Sequence, residues 1–73
     1  MRWIDAAERM PPVFTMEDPA GDFEASELLL VTDGAEMYLA CYVIPVDRSP
    51  GWFTDDEELE DVTHWAYLPG LPK

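Results

Sequence analysis

The segment Glu27 to Val46, E-L-L-L-V-T-D-G-A-E-M-Y-L-A-C-Y-V-I-P-V, carries the chain's clearest structural signal. Two apolar runs, Glu27 to Thr32 and Glu36 to Val46, flank Asp33-Gly34. Asp-Gly between strand-like runs predicts a β-hairpin, because a tight turn needs positive φ angles that glycine adopts at little cost. In the second run Met37, Leu39, Cys41 and Val43 alternate with Tyr38, Ala40, Tyr42 and Ile44, so both faces are apolar. That pattern suits a central strand covered on both sides. Pro45 ends its ladder.

Downstream, D-R-S-P-G-W (Asp47 to Trp52) is turn chemistry centred on Pro50-Gly51. Trp52-Phe53-Thr54 begins a short third strand, and Val62 to Leu68 forms a fourth, with Thr63, Trp65 and Tyr67 on one face. The tail Pro69 to Lys73 cannot continue a sheet. Upstream, residues 1 to 12 predict a helical turn or short helix around Asp5 to Arg9, stopped by Pro11-Pro12 and buried through Trp3, Ile4 and Met10. Val13 to Ser26, with Pro19, Gly21 and four acids, reads as a long connecting loop. The expectation is one α+β domain over residues 1–73: a small antiparallel sheet of three or four strands with a short N-terminal helix or turn.

Composition limits what this domain can do. Sixteen Asp and Glu against four Lys and Arg give a formal charge of −12. Phosphate binding relies on Lys and Arg releasing counterions, so direct contact with DNA or RNA is disfavoured, and an anionic membrane surface would repel the chain. A 48% apolar content opposes disorder. The first residues carry acids where an export signal needs an apolar segment, and the lone Cys41 offers no internal disulfide, so a reducing cytosol is the expected compartment. The oligomeric state, monomer or dimer, stays open.

The ends of the chain, W-I-D-A-A-E-R-M-P-P at 3 to 12 and V-T-H-W-A-Y-L-P-G-L-P at 62 to 72, with a hairpin and a Gly-Trp element between them, resemble a family of short phage and prophage proteins known as domain of unknown function 551. The resemblance implies a phage accessory protein acting inside a bacterium and implies no activity. The chain departs from the family pattern in its acidic loop at 17–27 and its acidic run at 55–61. Apart from the resemblance, Trp3, Pro11, Pro12, Trp65, Leu68 and Pro69 are stiff apolar residues whose burial would tie both termini to the sheet.

Six of the seven residues from 55 to 61 are carboxylates: Asp55, Asp56, Glu57, Glu58, Glu60 and Asp61. The run lacks the alternate ligand spacing and the glycine of a calcium loop, and the apolar wall that raises a catalytic carboxyl. No metal, cofactor or catalytic residue is therefore assigned, and His64 with Ser26, Ser49 or Cys41 shows no spacing that suggests a triad. Tyr38, Tyr42, Trp52 and Tyr67 lack the positive groove of a base-stacking platform. The plain reading of the acids is a solvated loop that confers solubility on a phage accessory or structural protein.

The sharper reading makes the protein a non-enzymatic binder of a basic, nucleic-acid-binding host protein. The contact would be made by the 55–61 acids, helped by Glu17, Asp18, Asp22, Glu24 and Glu27. Alternate residues of a strand recur at about 7 Å, similar to phosphates along one DNA strand, so a rigid acidic sheet could act as a DNA mimic of the anti-CRISPR or anti-restriction kind.

Overall fold

The computed structural model describes residues 2–69; Met1 and most of the proline-rich tail, Gly70 to Lys73, lie outside the described residues. Among the described residues eight strands follow in order: β1 (Ile4–Asp5), β2 (Phe14–Met16), β3 (Phe23–Ala25), β4 (Leu29–Thr32), β5 (Met37–Ile44), β6 (Gly51–Phe53), β7 (Glu58–Leu59) and β8 (His64–Ala66). All pairings are antiparallel. They run β1-β8-β4-β5-β3-β2, with β6 and then β7 added on β5, and the sheet curls into a half-barrel.

The anticipated hairpin is the centre of this sheet. β4 and β5 pair from Leu29↔Ala40 to Thr32↔Met37. Gly34 takes the positive φ of 96° at their turn. Asp33 Oδ1 accepts the N–H groups of Ala35 and Glu36, each at 2.8 Å, while Thr32 Oγ1 donates to the Glu36 carbonyl at 2.7 Å. These bonds satisfy backbone groups that the tight reversal takes off the ladder.

The expected α+β class is overturned: the fold is all-β, with no helix among the described residues. A single turn does form after Asp5, whose carbonyl accepts the N–H groups of Glu8 and Arg9 at 3.0 Å. It goes no further because one turn is too short to stand as a helix and Pro11 and Pro12 follow at once. Ile4 and Asp5 pair instead with Trp65 and His64 of β8.

The sheet also has more strands than the three or four expected. The supposed loop over Val13 to Ser26 is a hairpin, with Phe14↔Ala25, Thr15↔Glu24 and Met16↔Phe23 in register. Pro19 sits in its turn rather than in a loop. Asp18 closes that turn, its carbonyl accepting Gly21 N–H at 2.9 Å and its Oδ1 accepting Ala20 N–H at 2.8 Å.

Between β3 and β4 the chain inserts one extra residue. Ala25 pairs with Val43 and Leu29 with Ala40, so Ser26, Glu27 and Leu28 lie opposite only Cys41 and Tyr42. This β-bulge bends the strand and increases its twist. Ser26, 2% exposed, fills the gap: its N–H donates to the Tyr42 carbonyl, its Oγ accepts Tyr42 N–H and donates to the Glu27 carbonyl, all at 2.8 Å.

The large buried side chains lie on one face of the sheet, and the opposite face is only partly covered, at Ala25 and Ala66. Leu29, Val31, Ala40, Trp52 and Trp65 form the buried cluster, and Ile4, Ala6, Tyr38, Tyr42, Leu59 and Val62 pack against it. The N-terminal segment reaches this side, where the Trp65 indole Nε1–H donates to the Arg9 carbonyl at 2.8 Å. On the other face Met37 and Leu39 are exposed, so the expectation that β5 is covered on both sides does not hold. A single curled sheet encloses one side, and a second layer would be needed for the other. Of the residues expected to tie down the termini, Trp65 and Pro11 are buried, whereas Trp3, Pro12, Leu68 and Pro69 are exposed, as is Met10, expected as a buried contact of the N-terminal turn.

Candidate functional site

The acidic run is built into a hairpin. β6 and β7 pair through Trp52↔Leu59 and Phe53↔Glu58, and Thr54 to Glu57 form the turn between them. Thr54 N–H donates to the Glu57 carbonyl at 2.8 Å, and Thr54 Oγ1 accepts Glu57 N–H at 3.0 Å and Asp56 N–H at 3.2 Å. Trp52, buried and tilted against Tyr42 at 5.1 Å between ring centroids, anchors the arm from below. Asp55 and Asp56 therefore occupy a defined turn tip, and Glu58 lies within β7.

Sequence-distant acids converge beside this hairpin. A cleft of about 250 Å³ is lined by Asp33, Tyr38 and the segment 57–62, which brings Glu57, Glu58, Glu60 and Asp61 to the β4–β5 turn. The Tyr38 hydroxyl donates to Glu36 Oε2 at 2.9 Å. That bond, then desolvation, then the charges of Glu36, Asp33 and Glu57 push the Tyr38 pKa up, because each disfavours the phenolate. Asp33 moves the other way. The N–H donors of Glu36 and then Ala35 stabilise its carboxylate and lower its pKa, against a smaller opposing effect of desolvation.

Sequence reading missed Asp33, Glu36 and Tyr38 as members of this site. Asp33 was visible only as a turn residue, and its approach to 57–61 depends on tertiary folding that no local pattern records. The second predicted group is elsewhere. Glu24 pairs with Ile44 at the far end of β5, six residues from Tyr38 and so about 20 Å away along the strand. Glu17, Asp18 and Asp22 flank the β2–β3 turn, and Glu27 lies in the bulge. The eleven predicted acids thus form two regions, of which 55–61 is the denser.

Among the described residues no group of three or more His, Cys, Asp or Glu is placed to hold a metal ion. His64 Nδ1 lies 2.9 Å from Thr63 Oγ1, and Ser26 Oγ is committed to the bulge. The Cys41 thiol is pushed up by burial first and by Asp55 second. No family model, curated protein or solved structure matches the chain. No helix among the described residues is long and apolar enough to cross a membrane.

Proposed function

We propose that this chain is a binding protein that sets its acidic end, Asp33 and Glu36 with Asp55 to Asp61, against the cationic nucleic-acid-binding surface of a host protein and blocks it. The observation that carries this reading is the convergence of two carboxylate-bearing turns around Tyr38 in a chain of charge −12. Fixed turns matter because a preorganised array loses less conformational entropy on binding than a mobile tail. Such a field steers a basic partner and makes association fast and salt-sensitive. The resemblance of the chain ends to phage proteins favours a defence nuclease, a CRISPR effector or a restriction system as the target class, by analogy.

The test combines neutralisation with salt. Asp55→Asn, Asp56→Asn, Glu60→Gln and Asp61→Asn together should abolish capture of nucleic-acid-binding proteins from a bacterial lysate, and raising salt from about 0.05 to 0.5 M should release them from the parent chain. The melting temperature of the neutralised chain should be equal or higher, because self-repulsion falls. Capture that is indifferent both to salt and to the substitutions contradicts the proposal.

A further inference from the structure

The face of the sheet opposite the core, covered at Ala25 and Ala66 and exposed at Phe14, Met37 and Leu39, is apolar across several strands. Side chains of directly paired residues share a face, so Leu39 lies beside Leu30, and Val43 beside Ala25 and then Phe14. Phe14, Met37 and Leu39 are 57%, 64% and 50% exposed. Toward the β2–β3 turn this face deepens into a groove of about 510 Å³, with Phe23, Val43, Pro45 and Phe53 among its lining. That volume accommodates large apolar side chains.

Acids frame this surface. Asp18 and Asp47 line the groove. Glu58, opposite Phe53, lies on the same face, and Asp55 is close enough to act electrostatically on Cys41. Arg48, the one cation among the described residues of the groove lining, lies over the Phe53 ring at 5.8 Å from its centroid. A second copy of the chain would bring the same acidic frame against this one, at a charge of −12 on each partner. Charge complementarity selects an apolar surface flanked by cations.

We infer that this face docks an extended segment of the basic target in which apolar and Lys or Arg side chains alternate, the apolar ones seated on Phe14, Leu39 and the groove and the cations reaching the acidic frame. This rests on the reading that the target is basic, and it adds a second contact, apolar in character, on the face of β5 opposite Tyr38. Strand geometry seats every second side chain on the sheet, and the long flexible stems of the intervening Lys or Arg let their charged heads bend to the acids at the rim.

The test is an NMR titration of the isotope-labelled chain at physiological salt with two short peptides, one alternating leucine and lysine and the other serine and lysine. The leucine peptide should bind at least about tenfold more tightly and shift the resonances of Phe14, Leu39 and Phe53. The double variant Met37→Ser, Leu39→Ser should lose that advantage; should it not fold, Phe14→Ser on the edge strand supplies the same readout. Equal binding of both peptides, with shifts confined to 55–61, overturns this inference and leaves the acidic-end reading standing. Binding of neither peptide counts against both. Sedimentation of the free chain as a dimer, with the Met37 and Leu39 resonances insensitive to either peptide, assigns the face to a second copy and likewise overturns it.

Discussion

Ser26 shows how one side chain can sustain an irregular backbone. Its hydroxyl substitutes for a strand partner that the bulge has displaced, giving the Tyr42 N–H an acceptor and donating in turn to the Glu27 carbonyl. Ser26→Ala removes both bonds and leaves a part-buried N–H without its acceptor, which costs about 1–3 kcal/mol. Urea denaturation should show that loss. A change below about 0.5 kcal/mol would mean that water or a shift of the strand replaces the hydroxyl.

Two shifted groups at the β4–β5 turn tie pH to stability in opposite directions. Asp33 has a lowered folded pKa, so its contribution is present above the unfolded value of 3.8 and is lost as pH falls through the folded value. Tyr38 has a raised folded pKa, so its contribution is present below 10.0 and is lost as pH rises through the folded value. Glu36→Gln should return the Tyr38 titration, followed by phenolate absorbance, toward 10.0; an unchanged midpoint would rule out Glu36 as the leading cause. Cys41 offers a third check. Its raised pKa should make it react more slowly with a disulfide reagent at pH 8 than a free thiol does, with only modest acceleration in Asp55→Asn because burial is the larger cause. A rate equal to that of a free thiol contradicts that placement.

Among the elements, the β4–β5 hairpin was legible because Asp-Gly is a strong local signal and the flanking runs are long. The β2–β3 hairpin was not. F-T-M and F-E-A do alternate, but each is only three residues, and the acids between them mimic a loop. The N-terminal segment stops at a single turn for a different reason, since Ile4 and Asp5 before it pair with β8 and Pro11-Pro12 after it end any helix. The acidic run was legible as charge and illegible as a site, because its neighbours Asp33, Glu36 and Tyr38 come from a different hairpin.

The segment from Ala6 to Pro11 depends on Trp65. Trp65→Phe keeps most of the ring's bulk but removes the donor to the Arg9 carbonyl, so hydrogen exchange at residues 6 to 10 should quicken while β4 and β5 remain protected. Uniform quickening across the sheet would show that Trp65 acts through core packing alone.

At the scale of the molecule, a small one-sided core opposes a charge of −12. Raising ionic strength from 0.01 to 0.15 M shortens the screening length from about 30 to 8 Å. The melting temperature should therefore climb by several degrees, since about 1 kcal/mol corresponds to 4–8 °C in a domain of this size. A flat or falling curve would mean that attractive pairs outweigh the repulsion. The same balance explains how the acids are arranged: turns closed by Asp18, Asp33 and Thr54 place charge at the rim of the sheet and keep it away from the Trp52–Trp65 core.

The idea that carboxylates are held in fixed positions for a cationic partner is tested most directly by backbone ¹⁵N relaxation across residues 54 to 61 in the free protein. Order parameters of about 0.85, like those of β5, are predicted by the Thr54-closed turn and its pairing with β6. Values below about 0.6 throughout that segment would make the acids a mobile tail and contradict the account.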